Sequence, residues 1–151
     1  AHMREHSVEV QFPFLQAIYG EVRMVPVVML NQTMSASREL GMAIAKACKA
    51  LGRDCVIIAS SDLTHYEPAE VAERKDRSAL DAILRLDEES LYKAISTMSI
   101  SMCGYGPTAA MLIAAKALGA RTAQLIKYSH SGETTGDYSA VVGYGAVVVR
   151  R

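Results

Sequence analysis

The segment Asp54-Cys-Val-Ile-Ile-Ala-Ser-Ser-Asp-Leu-Thr-His65 predicts both the fold class and the position of a site. Its apolar run, residues 55–59, is typical of a strand covered on both faces. Polar residues follow at once, and ligands of open α/β sheets bind beyond the carboxyl ends of strands. Asp62 and His65 are three residues apart, so a helical turn there would place both side chains on the same face of the turn. A carboxylate next to an imidazole is a pair that binds a metal or moves a proton. The alternative is that Asp62 caps a turn and His65 is a surface residue.

The preceding residues predict a parallel strand–helix–strand unit. A strand over 24–30 is followed by a helix that begins at Ser35 or Ser37 and ends at Leu51 before Gly52. A second strand over 54–60 would then pair in parallel through a right-handed crossover. Apolar residues at helical spacing over 8–18 predict an N-terminal helix, with Ser7 as its cap. Further helices are predicted over 69–86, 88–98 and 107–118, and strands over 121–128 and 138–149.

Composition excludes several classes of protein. The 151 residues suffice for one domain, and equal numbers of acidic and basic residues give net charge zero, which argues against a nucleic-acid-binding protein. No apolar run reaches the roughly 18 residues of a membrane span, and no signal peptide is visible. Residues 1–3 resemble the remnant of an expression tag, so His2 is discounted and 4–151 is predicted to be a single domain. No nucleotide-binding motif occurs.

The three cysteines, Cys48, Cys55 and Cys103, are too few and too scattered for a disulfide framework, which favours a reducing cytoplasm. Cys48 and Cys55 lie in apolar runs and are predicted to be buried thiols. Cys103 precedes Gly104, Gly106 and Pro107 at the start of a helix, a position that favours the thiolate that binds metals or attacks substrates. The alternative is a small residue needed for packing.

Other polar residues have ordinary interpretations. His6 lies at a helix entrance, where a surface or capping role is the usual one. The run 73–77 is predicted to be a solvated helix face. His130 could reach the site but is interpreted as a loop residue, and Asp137 as a turn former.

Four blocks together resemble one family. They are residues 5–13 (Glu-His-Ser-Val-Glu-Val-Gln-Phe-Pro), 60–66 (Ser-Ser-Asp-Leu-Thr-His-Tyr), 103–107 (Cys-Gly-Tyr-Gly-Pro), and Gly136-Asp-Tyr-Ser139 with Val142-Gly-Tyr-Gly-Ala146. In this order and spacing they resemble the Memo family, known in bacteria and archaea as AmmeMemoRadiSam system protein B. The resemblance covers nearly the whole chain.

The resemblance implies an α/β fold with a mostly parallel or mixed central sheet, similar to the extradiol dioxygenases that use non-haem iron. It implies iron or copper ligands at His6 and Cys103, with Asp62 and His65 beside them, so the catalytic candidates are Asp62, His65 and Cys103. A second metal-binding histidine of the family lies in an N-terminal part that has no match here. The chain is therefore expected to be the C-terminal portion of the domain, with an exposed sheet edge that favours a homo-oligomer.

Three functions remain open from the sequence. The first is a metal-dependent redox or oxygenase-type enzyme of unidentified small-molecule substrate. The second is a binding or scaffold protein that keeps the pocket but catalyses no reaction. The resemblance suggests it, because eukaryotic members of the Memo family are described as adaptors that recognise phosphotyrosine peptides. The third is a hydrolase with Cys103 as nucleophile, assisted by His65 and Asp62.

Overall fold

A three-stranded antiparallel sheet flanked by helices forms the frame of the molecule. The computed structural model describes residues 2–52 and 55–151. Two 3-10 turns, His2–Arg4 and Glu9–Gln11, precede the first helix. The helices are α1 (Phe12–Tyr19), α2 (Met34–Leu51), α3 (Ala69–Leu84), α4 (Glu88–Met98), α5 (Tyr105–Ala117) and α6 (Gly132–Thr135), and the strands are β1 (His65–Glu67), β2 (Thr122–His130) and β3 (Val141–Arg150).

The sheet has the strand order β1-β3-β2. Strands β2 and β3 pair from Thr122 opposite Arg150 to His130 opposite Gly143, and His65 of β1 lies opposite Val142. The inward side chains of β2 and β3, including Leu125 and Val147, pack against a core supplied mainly by α3, α4 and α5. The short strand β1 therefore joins the functional segment of the chain to the middle strand of the sheet.

Helix α2 packs closely against α5. A methyl group on Gly41 of α2 would lie 2.6 Å from the carbonyl oxygen of Ala110 in α5, closer than two such atoms can approach. The facing side of α5 consists largely of small buried residues, among them Ala109, Ala110 and Ala114. This contact fixes the N-terminal end of α5, which follows Cys103, relative to α2.

The parallel strand–helix–strand unit predicted over 24–60 is not formed in the described part of the chain. Residues 24–30 and 55–60 belong to no helix or sheet, and the predicted residue Asp54 lies outside the described residues. Val25 and Val56 are each 87% exposed and Leu30 is 98% exposed. A strand, unlike a helix, depends on a neighbour for its hydrogen bonds. The described residues supply no such neighbour here, and the strand pairs that they do form are all antiparallel.

The predicted helices are confirmed with small differences at their ends. Helix α4 occupies the predicted residues 88–98, and α3 and α5 differ from prediction by two residues or fewer. Helix α2 begins at Met34 rather than at Ser35 or Ser37, and the Thr33 hydroxyl caps it. Helix α1 begins at Phe12, later than the predicted residue 8, and the predicted cap Ser7 is wrong because Gln11 precedes the helix. Within the described residues, no helix combines the length and the apolar character that crossing a membrane requires.

Candidate metal centre

Three of the predicted site residues meet at one point of the structure. One ligand atom each from Asp62, His65 and Cys103 lies within 4.8 Å of the other two. Nε2 of His65 is 3.5 Å from Oδ2 of Asp62. The Asp62 side chain is 49% exposed and the His65 side chain 21% exposed, so the group is open to solvent on one side.

The main chain between Asp62 and His65 is hydrogen-bonded to β3. The Leu63 N–H donates to the carbonyl oxygen of Gly143, and the Gly143 N–H donates to that of Thr64, both at 2.9 Å. The Leu63 side chain is buried in the core. His65 therefore begins β1 rather than the helical turn that the spacing predicted, yet its ring still lies beside Asp62.

The His65 imidazole is oriented by Ser101. The ring Nδ1 lies 2.8 Å from the Ser101 carbonyl oxygen, and the His65 N–H donates to the Ser101 hydroxyl at 2.7 Å. Because a carbonyl oxygen only accepts hydrogen bonds, Nδ1 carries the hydrogen. In the neutral ring, Nε2 then presents its lone pair toward Asp62, and this is the tautomer in which a histidine binds a metal through Nε2.

Cys103 lies two residues before the first residue of α5, as predicted. Its Sγ accepts a hydrogen bond from the Asp62 N–H at 3.3 Å, and the Ser61 hydroxyl lies 3.7 Å away. The Gly104 N–H donates to the same hydroxyl at 2.8 Å. The sulfur also lies 3.9 Å from the Asp62 carbonyl oxygen, so the main chain of Asp62 holds the Cys103 side chain beside the other two residues.

His6 lies outside this group of three. Its side chain is 77% exposed, and Nδ1 is 2.9 Å from a carboxylate oxygen of Glu9. The same N-terminal segment contacts the site loop through Gln11, whose side-chain amide donates to the Ser60 hydroxyl at 3.0 Å. Metal binding by His6 therefore stays a prediction.

His130 and Asp137 serve local structure in the described chain. His130 is the last residue of β2, not a loop residue, and its ring packs edge-on against Tyr138. Asp137 accepts hydrogen bonds from the backbone N–H and the hydroxyl of Ser139, which confirms its interpretation as a turn former.

Asp76 supports the site but was missed by the sequence prediction, which assigned it to a solvated face. Its side chain is fully buried, with Oδ1 accepting from the Thr64 N–H and Oδ2 from the Tyr128 hydroxyl, both at 2.8 Å. A methyl group on Gly143 would lie 1.8 Å from Oδ2, so only glycine leaves room for the carboxylate. One signal could have identified Asp76, since it shares the helical spacing of the buried residues Ala72, Ala79, Leu80 and Ile83.

Comparison with known proteins finds one family over almost the whole chain. The family model of the Memo-like protein matches residues 1–148. A MEMO1 family protein of Methanopyrus kandleri is 50% identical over 152 residues, which cover 100% of this chain and 54% of the relative. A second, from Pyrobaculum aerophilum, is 49% identical over 151 residues, again 100% of this chain and 54% of the relative. The chain thus spans about half the length of the curated relatives it matches, and it belongs to the Memo-like protein family.

Proposed function

We propose that Asp62, His65 and Cys103 bind one iron or copper ion and that the protein has a redox or oxygenase-type role. The observation that supports this proposal is the approach of the three ligand atoms to within 4.8 Å of one another. At metal–ligand distances of about 2.0–2.3 Å, two ligands of one ion lie at most roughly 4.6 Å apart. The three side chains therefore need little movement to share an ion.

The donor set favours a transition metal over magnesium or calcium. A thiolate and an imidazole are the ligands that iron, copper and zinc prefer, whereas Mg²⁺ and Ca²⁺ prefer oxygen. The hydrogen bond from Nδ1 of His65 to Ser101 is the kind of outer contact that orients a metal-binding histidine. Three protein ligands leave coordination positions for a substrate or for His6.

The residues of the site have separate tasks in this proposal. A bound ion would supply Lewis-acid and redox chemistry at its open positions. Asp62, whose carboxylate is half exposed, would bind the ion through one oxygen and could hold a proton of an entering molecule on the other. Ser101 prevents the His65 ring from turning, and the Asp62 N–H keeps the sulfur of Cys103 facing the same point.

A cysteine-nucleophile hydrolase is less well supported by the geometry. In that chemistry one imidazole nitrogen faces the thiol and the other faces the carboxylate. Here Nδ1 of His65 is bonded to the Ser101 carbonyl, and Nε2 is the nitrogen that faces Asp62. Neither nitrogen is then arranged to take a proton from Cys103 in the manner of a triad.

Anaerobic calorimetric titration with iron(II) tests the metal proposal. We expect one ion per chain for the wild type and a loss of affinity of about tenfold or more in Cys103→Ser and His65→Ala. Cys55→Ser is the matched control and should bind like the wild type. His6→Ala reports whether His6 joins the site. Equal binding by the wild type and an Asp62→Ala, Cys103→Ser double variant would refute the proposal.

We also propose that residues 24–30 and 55–60 pair with a second copy of the chain, enlarging the sheet toward the dioxygenase-like architecture that the family resemblance implies. The support is the exposure of Val25, Leu30 and Val56 on segments that join no helix or sheet within the described residues. Extended apolar edges are templates for pairing with another chain, and large apolar patches are uncommon on monomers.

A further inference from the structure

The peptide group between Cys103 and Gly104 is held by side chains at both of its polar atoms. The Gln32 side-chain amide donates from Nε2 to the Cys103 carbonyl oxygen at 2.9 Å. The Gly104 N–H donates to the Ser61 hydroxyl at 2.8 Å. Neither Gln32 nor Ser61 belongs to the group of three candidate metal ligands. Because a peptide group is planar, fixing both of its polar atoms also fixes the direction in which the Cys103 side chain leaves the main chain.

Gln32 holds the same loop at a second point. Its Oε1 accepts from the Gly106 N–H at 2.9 Å, so one side-chain amide connects residues 103 and 106. A carbonyl oxygen needs a donor and an N–H needs an acceptor, and a side-chain amide supplies both. The Tyr92 hydroxyl donates to the Gln32 carbonyl oxygen at 2.7 Å, which holds the main chain of Gln32 in turn.

The two glycines of the loop allow these side chains to come close. A methyl group on Gly104 would lie 2.7 Å from the Cβ of Ser61, and a methyl group on Gly106 would lie 2.8 Å from the Cβ of Gln32. Both distances are shorter than carbon atoms tolerate. The pattern Cys103-Gly-Tyr-Gly-Pro107 therefore leaves room for the two residues that hold the loop.

Burial fixes none of the three cysteines. Cys103 and Cys55 are exposed and Cys48 is only part-buried, so the prediction that Cys48 and Cys55 are buried thiols is wrong. The Cys103 sulfur instead contacts the main chain of Asp62, whose N–H donates to Sγ at 3.3 Å. An exposed side chain gains conformational entropy when it leaves such a contact. The contact therefore depends on how firmly the main chain of Cys103 is held.

We propose that Gln32 is a positioning residue for Cys103, which holds the loop 103–106 so that the sulfur faces Asp62 and His65. This inference rests on the proposed function, in which Cys103 is a metal ligand. Gln32 is not itself a ligand and acts through Cys103. Its loss should therefore remove the sulfur from the metal and leave the other two ligands in place.

Amide hydrogen exchange of the metal-free protein, followed by NMR, tests the positioning without a metal. In Gln32→Leu we expect exchange to be about threefold faster or more at Gly106, whose N–H loses its acceptor, and at Asp62, whose N–H loses the Cys103 sulfur. The Leu63 N–H, which is bonded to β3, is the internal control and should keep its rate. An unchanged rate at Asp62 would overturn the inference, because Gln32 would then not position the sulfur.

Iron(II) titration and X-ray absorption test whether Gln32 acts through the sulfur. Gln32→Leu should bind iron(II) about tenfold more weakly and should show a smaller sulfur signal at saturating iron. Gln32→Glu keeps the acceptor for Gly106 but loses the donor to the Cys103 carbonyl, so it should lose sulfur signal too. Asp87→Ala removes the cap of α4 and is the control for a general loss of stability. It should bind iron(II) like the wild type.

A double-mutant cycle identifies the route by which Gln32 acts. In a Cys103→Ser background, Gln32→Leu should not weaken iron(II) binding further, because the side chain that it positions is already gone. An equal, tenfold loss in that background would overturn the inference, and so would an undiminished sulfur signal in Gln32→Leu. A wild type that binds no iron(II) would instead overturn the proposed function, and the exchange rate at Asp62 would still decide whether Gln32 positions the sulfur.

Discussion

Asp76 is the residue on which the geometry of the candidate site depends most. Its buried carboxylate accepts one hydrogen bond from the main chain next to His65 and one from β2. Burial of a carboxylate is costly unless hydrogen bonds satisfy it, so both donors are needed. Burial and the adjacent Asp76 also raise the pKa of the Tyr128 phenol, which keeps that donor protonated.

Tyr128→Phe removes one donor and leaves an oxygen of Asp76 unsatisfied. We expect a loss of stability of about 1–3 kcal/mol, measured by urea unfolding near neutral pH. Tyr144→Phe is the control, since Tyr144 lies on an exposed part of β3, and it should change stability by no more than about 0.5 kcal/mol. Equal midpoints for the two variants would mean that the Asp76–Tyr128 hydrogen bond does not stabilise the fold.

Gly143→Ala tests the close approach of the sheet to Asp76. The added methyl group would meet a buried carboxylate oxygen, so β3 or α3 must move, at a cost of roughly 1–3 kcal/mol or more. Gly145→Ala is the matched control in the same strand, because its methyl group would meet only the ends of two flexible side chains, Leu80 at 3.0 Å and Leu63 at 3.4 Å. Thermal unfolding should rank Gly143→Ala well below Gly145→Ala, and the reverse order would contradict the described packing.

At the scale of elements, helix α4 depends on its N-terminal cap. The Asp87 carboxylate accepts from the Ser90 hydroxyl at 2.5 Å and from the Ser90 N–H at 2.9 Å. These hydrogen bonds lower the pKa of Asp87 below its ordinary value of 3.8. A lowered pKa in the folded state stabilises the protein above pH 3.8, and the stabilisation is lost as the pH falls through the lowered value.

Asp87→Ala should therefore destabilise the protein by about 1 kcal/mol near neutral pH. The difference from the wild type should shrink as the pH falls below 3.8, where the carboxylate of the wild type takes up a proton. Glu89→Ala, in the same first turn but exposed, is the control. Denaturant unfolding at several pH values measures both effects. A difference that is independent of pH would contradict the role of the charged cap.

The helices could be predicted from sequence because their signals are local. Apolar spacing and the residues typical of helix ends predicted both bounds of α4, and they predicted the bounds of α2, α3 and α5 closely. Strands were harder to predict, because a strand forms only where another segment pairs with it, and local sequence does not specify that partner. The run 55–59 has the composition of a covered strand, yet Val56 is exposed, whereas β1 formed at residues 65–67, where no strand was predicted.

At the scale of the whole molecule, the fold brings together three of the predicted site residues, which lie in separate sequence motifs. Asp62, His65 and Cys103 converge as expected, although the helical turn invoked for the first two is absent from the described chain. Asp76 was missed because a charged run was taken as solvated, and no local pattern specifies its partner Tyr128. The position of His6 relative to these three side chains depends on contacts that spacing along the chain does not define.

The exposed apolar segments lead to a prediction about the assembly of whole chains. Sedimentation velocity at increasing concentration should show species heavier than the 16.3 kDa monomer. A Val25→Lys, Val56→Lys double variant should remain monomeric, because charge on an extended edge opposes pairing. Met42→Lys, at an exposed position on α2, should associate like the wild type. A monomeric wild type at every concentration would rule out pairing of two copies.

X-ray absorption at the iron edge tests the metal centre most directly, because it detects the atoms bound to the metal. The iron(II)-loaded wild type should show one sulfur ligand together with nitrogen and oxygen ligands, as Cys103, His65 and Asp62 supply. Cys103→Ser should lose the sulfur signal, and Cys55→Ser should keep it. Sulfur retained in Cys103→Ser, or absent from the wild type, would contradict the proposal that these three side chains hold the metal.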